Sequence, residues 1–99
     1  MVIVGGSFEV DPDQREEFVA SRHESMKKSR SEPGCLEYTV AADPIDPGRV
    51  VLFERWVDQA ALDTHIAGMR QAGPQAGGVA PKSASILVYD IAGERSLGG

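Results

Sequence analysis

Short apolar runs and amphipathic stretches succeed one another along the chain, and their periods set out its elements. Residues 2–10 open with Val2, Ile3 and Val4 and continue through Phe8 and Val10, a strand pattern that Gly5 and Gly6 are expected to weaken or bulge. Asp11-Pro12 offers a capping carboxylate and a proline at the first helical position, and Gln14 completes a capping-box pattern three residues after the cap. Phe18, Val19 and Met26, with small Ala20, Ser25 and Ser29, mark one face of a single helix. Arg15, Glu16, Glu24, Lys27 and Lys28 take the wet side. Glu32-Pro33-Gly34 ends it, because a residue before proline avoids helical dihedrals.

Cys35 to Ala42 reads as a second strand, with Leu36, Tyr38 and Val40 on one face and Glu37 and Thr39 on the other. The turn-rich residues 43–48 lead into a third strand over Val50 to Val57, completing an antiparallel hairpin. On that strand Leu52, Glu54 and Trp56 share a face, and Val51, Phe53, Arg55 and Val57 share the opposite one. Asp58 caps a second helix through Ala60, Ala61, Leu62, His65 and Ile66, expected to end near Gly68. Gly73-Pro74 and Gly77-Gly78 then predict a loop or a short helical turn. Ser83 to Ile91 is the last strand.

The order β-α-β-β-α-β predicts an α+β, ferredoxin-like split β-α-β fold, a four-stranded antiparallel sheet with two helices on one face. Residues 1–92 form the expected single domain, and 93–99 a flexible C-terminal tail. Val50 to Phe53 and Ile86 to Tyr89 are apolar on consecutive residues, hence on both sheet faces, while two helices cover only one. A second copy packed sheet against sheet covers the other, so a homodimer is expected.

Composition narrows the function. Ninety-nine residues make one domain, and 10 basic against 15 acidic side chains give a net charge of −5. Such a chain repels the phosphates of nucleic acid and an anionic membrane surface, so neither partner is expected. Cys35 is the single cysteine, so no internal disulfide forms, and the sequence has no zinc-ligand spacing. With no basic, apolar leader at Met1, a cytoplasmic location is expected. Phosphate loops, the GxSxG elbow, CxxC and HExxH are all missing from the sequence.

The candidate chemistry lies in polar groups set into apolar stripes. Arg22 follows Phe18 and precedes Met26 by four residues each, so it either snorkels to the rim or points into a cavity. His65, three residues after Leu62, is either a buried histidine satisfied by the backbone or a Glu, or a proton acceptor. His23 borders the charged face and is the weaker histidine candidate. Trp56 packs, with an indole N–H that needs a partner when buried. Cys35 has no flanking cation or base and reads as a small core residue.

Three segments, Ser29-Arg-Ser-Glu-Pro-Gly-Cys-Leu-Glu-Tyr38, Phe53-Glu-Arg-Trp56 and Ala61-Leu-Asp-Thr-His65, resemble the antibiotic biosynthesis monooxygenase family of small dimeric ferredoxin-like proteins. The resemblance implies quinol and anthrone monooxygenases, which oxidise an aromatic polyphenol with O2 and use no metal or flavin, the deprotonated substrate itself reducing oxygen. It implies His65, Trp56 and Glu54 as catalytic groups; Arg22 joins them from helix phase alone. Arg22, Tyr38, Leu52, Met26 and Leu62 are the expected substrate-binding residues, with a flat substrate bracketed between the Trp56 ring and His65.

Many relatives carry a second histidine about five residues after the first, where this chain has Arg70. Haem-degrading members need an axial histidine on or after this helix, and His65 falls where those members commonly have another residue, so haem degradation is less favoured. An isomerase or lyase acting on a small polar metabolite and a non-catalytic binding protein stay open. An apolar pocket favours an aromatic ligand, whereas clustered Arg and His favour a phosphorylated one.

Overall fold

The computed structural model describes residues 1–73 and 79–98. Four strands, β1 (Val2–Glu9), β2 (Cys35–Ala42), β3 (Arg49–Trp56) and β4 (Ser83–Asp90), form one antiparallel sheet in the order β2-β3-β1-β4. Helices α1 (Arg15–Ser21), α2 (His23–Arg30) and α3 (Gln59–Ala72) lie on one face, giving the ferredoxin-like α+β architecture that the element order predicts. No helix among the described residues is long and apolar enough to cross a membrane.

The core follows the period-two pattern of the central strands. Val50, Leu52, Glu54 and Trp56 of β3 face the helices beside Val2 and Val4 of β1 and Tyr38 and Val40 of β2. Phe18 and Leu62 close the layer from the helices, and both are fully enclosed with Trp56. The outer sheet face carries Ile3, Val51 and Phe53, half-buried, and Leu87 and Tyr89, 57% and 48% exposed. Every residue of β4 is exposed in the single chain, and the helices pack chiefly on β2 and β3.

Local details depart from the sequence pattern in five places. β1 runs unbulged past Gly5-Gly6, with even register to both neighbours. Gly6 is there because β4 comes close: a β-carbon on it would collide with the Ser85 carbonyl oxygen and the Ile86 backbone. The first helix is not one element. Pro12–Gln14 forms a 3₁₀ turn in which Asp11 accepts from Asp13 N (3.0 Å), so the capping box with Gln14 does not form. The chain breaks again at Arg22, whose N–H bonds to Val19 O three residues back before α2 begins. The spacing 18, 22, 26 persists across that tight turn, which is why periodicity does not register it.

A bulge between Cys35 and Glu37 turns Leu36 away from the Tyr38–Val40 face and leaves it 47% exposed. α3 runs past Gly68 to Ala72 and stops at Gly73, whose φ of 74° suits glycine. Gly68 stands in open space and weakens the helix by only about 1 kcal/mol, too little to end it. The loop expected around Pro74 and Gly77-Gly78 lies outside the described residues.

Candidate active site

Two motifs meet beneath α3. The turn after α2 places Gly34 at φ 84°, where its carbonyl accepts from Val57 N (2.9 Å) and its Cα lies against Ala61. Asp58 caps α3 by accepting from Ala61 N (2.9 Å), which fixes the first turn of that helix. One turn further on, His65 points down onto the sheet, 3% exposed.

The imidazole is held on several sides. Its Nδ1 is 2.9 Å from Glu32 Oε1 and its Nε2 is 4.0 Å from Glu54 Oε1. The Trp56 ring lies 4.7 Å away, tilted by 34°, and the Tyr38 ring meets it edge-on at 5.4 Å. Glu54 is turned by its neighbour two residues along, because Trp56 Nε1 donates to Glu54 Oε1 at 2.9 Å. Burial pushes the Glu54 carboxyl above its ordinary range; the Trp56 N–H and His65 draw it back in part. The Tyr38 phenol is pushed up to about 12, chiefly by burial and then by the negative charge of Glu54. It therefore stays a neutral hydroxyl at working pH, able to donate.

Beside this cluster a cavity of about 370 Å³ opens between the sheet and the helices. Val4, Phe8, Leu52, Leu62, Ile66, Met69, Ile86 and Val88 make its walls apolar, while Glu54, His65, Tyr38 and Arg22 supply its polar atoms. Arg22 points inward rather than snorkelling: its guanidinium lies 4.6 Å over the Phe18 ring, and its Nε is buried with no hydrogen-bond partner. A second cleft of about 550 Å³ between α2 and α3 shares Arg22, His65 and Met69 with the first and has Glu32 at its floor.

The expected residues thus separate. Arg22, Tyr38, Leu52, Glu54, Leu62 and His65 line one cavity. Met26 does not: it sits behind the wall, its Sδ accepting from Val40 N at 3.2 Å. Trp56 does not reach the cavity either, being fully enclosed, and it stacks directly on His65 with no slot for a substrate between them. His23 is exposed on α2, away from the cluster. Cys35 is half-buried, and burial raises its thiol pKa, which opposes nucleophilic chemistry.

Glu32 is the side chain of this cluster that pattern reading missed, because the residue before a proline reads as helix punctuation. Its signal was the unassigned acidic partner that a buried histidine demands. Among the described residues no set of three His, Cys, Asp or Glu side chains is arranged to hold a metal ion.

Known proteins share this arrangement at the level of the whole domain. An uncharacterized protein of Synechocystis is 34% identical over 98 residues, covering 97% of this chain and 67% of that protein. YcnE of Bacillus subtilis, assigned as a monooxygenase, is 29% identical over 65 residues, 66% of this chain and 68% of its own. A Deinococcus radiodurans structure assigned to the antibiotic biosynthesis monooxygenases superposes with a TM-score of 0.85 at 26% identity, over the full length of both chains. The family model for antibiotic biosynthesis monooxygenase matches residues 1–68, from β1 through the histidine of α3, and the chain belongs to that family.

Proposed function

We propose that this chain is a cofactor-independent monooxygenase that oxidises an aromatic polyphenol of quinol or anthrone type with O2. The observation that carries the reading is the apolar cavity of about 370 Å³ whose polar atoms are confined to one acid–base pair, one phenol and one cation. A flat aromatic body matches the walls. A phosphorylated metabolite would find a single arginine, already lying over Phe18, in an otherwise apolar space.

The 4.0 Å between Glu54 Oε1 and His65 Nε2 is too long for a hydrogen bond. A substrate hydroxyl about 2.8 Å from Nε2 can donate its one proton there, with the Glu54 carboxylate near enough to stabilise the imidazolium that forms. In this reading His65 Nε2 takes the proton of that hydroxyl, assisted by Glu54. The resulting phenolate or enolate is rich enough in electrons to reduce O2 directly. Arg22 and the Tyr38 hydroxyl stabilise the oxyanion. For an anthrone-type carbon the CH2 becomes C=O: one oxygen atom of O2 is retained on carbon, and the other leaves as water with the two hydrogens. The substrate supplies all the electrons.

A second copy of the chain completes the reading, packed on the outer sheet face of Ile3, Val51, Phe53, Leu87 and Tyr89. That face leaves Leu87 and Tyr89 about half exposed, apolar surface that a second copy would bury.

Oxygen uptake across a panel of quinols and anthrones, with chelator present and flavin absent by absorbance, tests the chemistry. The expected result is one O2 consumed per substrate, with label from ¹⁸O2 in the product carbonyl. No uptake across the panel, or activity lost on chelation and restored by metal, overturns it.

A further inference from the structure

We infer that Glu32 is a positioning residue for His65, fixing the imidazole with its Nδ1–H turned outward to the α2–α3 cleft and its Nε2 lone pair facing the cavity. The inference deepens the proposed reaction and rests on it for its catalytic consequence, though not for its geometry.

A carboxylate has only lone pairs to offer, so the 2.9 Å contact between Glu32 Oε1 and His65 Nδ1 requires the ring to carry its proton there. His65 is 3% exposed, so water does not compete for that bond, whereas the Glu32 side chain is 22% exposed at the floor of the cleft. The two carboxylates beside the ring are therefore unlike. Glu32 meets solvent, while Glu54 is 7% exposed and takes the Trp56 indole N–H. The ring cannot swing to exchange its nitrogens, since Trp56 lies against it at 4.7 Å and Tyr38 meets it edge-on at 5.4 Å.

The groups facing His65 are Glu32 from the turn after α2, Glu54 from β3 and Tyr38 from β2, with Arg22 of the α1–α2 turn on the same cavity wall. Of these, Glu32 alone stands within hydrogen-bond distance of a ring nitrogen among the contacts of the described residues. Without it the ring is free to present an N–H to the cavity. In that tautomer it has no lone pair with which to accept a substrate proton.

The chain has only two histidines, so nitrogen-15 spectra of the substrate-free protein resolve His65 from His23. Neutral wild-type His65 should show the Nδ1–H tautomer. Glu32→Ala should shift the population toward Nε2–H, and in turnover kcat should fall by roughly 10²-fold with KM little changed. Glu32→Gln keeps a carbonyl acceptor but loses the charge that steadies an imidazolium. It should retain the wild-type tautomer and recover part of the lost kcat.

An Nδ1–H tautomer in folded Glu32→Ala would overturn the assignment. Should the alanine variant not fold, an Nε2–H tautomer in the neutral ring of the wild-type protein would do the same. Because the spectra need no substrate, a wild-type protein that oxidises nothing in the panel sinks the reaction while leaving the Glu32 result to stand or fall separately.

Discussion

Replacing Trp56 with phenylalanine should destabilise the fold by an amount that depends on pH. Trp56 is fully enclosed and donates from Nε1 to Glu54 Oε1 at 2.9 Å. The smaller ring forfeits packing worth roughly 2 kcal/mol. The lost hydrogen bond adds about 1 kcal/mol when Glu54 is protonated and about 2 kcal/mol when it is ionised, because bonds to charged acceptors are stronger. Burial raises the Glu54 pKa above its ordinary 4.5, so the folded state binds this proton more tightly than the unfolded chain does. Stability from this group therefore falls as pH rises from the ordinary carboxyl value through the raised one. Trp56→Phe removes the contact that pulls the value back down, so it widens that window.

The expected loss is about 3 kcal/mol at pH 4 and about 4 kcal/mol at pH 8. Urea unfolding at both values and at one fixed protein concentration measures it, since a coupled dimer equilibrium would otherwise move the midpoint. Trp56 is the sole tryptophan, so far-UV circular dichroism must follow both proteins. An equal loss at the two pH values, or a larger one at pH 4, would refute the claim that Glu54 depends on the indole to carry its charge.

Three further outcomes are expected. His65→Ala should lower the oxidation rate by about 10²- to 10⁴-fold while circular dichroism and sedimentation stay those of the wild type; an unstable variant with undiminished rate per folded molecule would make His65 structural. Phe53→Asp puts a carboxylate in the centre of the outer sheet face, and sedimentation should then fall from about 21 kDa, twice the 10.6 kDa chain, to the monomer value. Gly34→Ala should lower stability by roughly 2 kcal/mol or more in thermal unfolding, since φ is 84° there and a β-carbon would stand 2.6 Å from that of Ala61.

The strand and helix order was legible because central strands and capped helices advertise themselves by period and by Asp58, Asp11 and Gly34. The breaks were not. Arg22 keeps its four-residue spacing to Phe18 and Met26 on both sides of a single tight turn, so the turn leaves no mark on the pattern. Gly5-Gly6 looks like a bulge because a sequence cannot say that another backbone lies alongside. In the site, His65, Glu54 and Arg22 were found as polar residues on apolar stripes, and the cavity gathers them. Trp56 was misplaced by one layer: its face on β3 is right, but depth along that face depends on α3 seating His65 directly over it. Period-two reasoning gives a face and no depth.

The distance between the motifs also acquires a physical reason. Glu32 and Gly34 are two residues apart on the turn before β2, and Ala61 and His65 are one helical turn apart on α3. Gly34 has no β-carbon, so the turn can rest on Ala61 and pair its carbonyl with Val57. That contact brings the start of α3 down to the sheet and sets His65 level with Glu32 on one side and Glu54 on the other. Any side chain at position 34 would lift α3 at its first turn, and the displacement would be felt at His65, four residues on. A β-carbon at position 34 would thus press on α3 one turn before His65 and its 2.9 Å contact to Glu32. Gly34→Ala should therefore weaken the hold on the His65 tautomer as well as the fold, which the same nitrogen-15 spectra would register. A variant that lost stability yet kept the wild-type tautomer would show that Glu32 follows the imidazole by its own side-chain freedom, and that the turn does not set the ring.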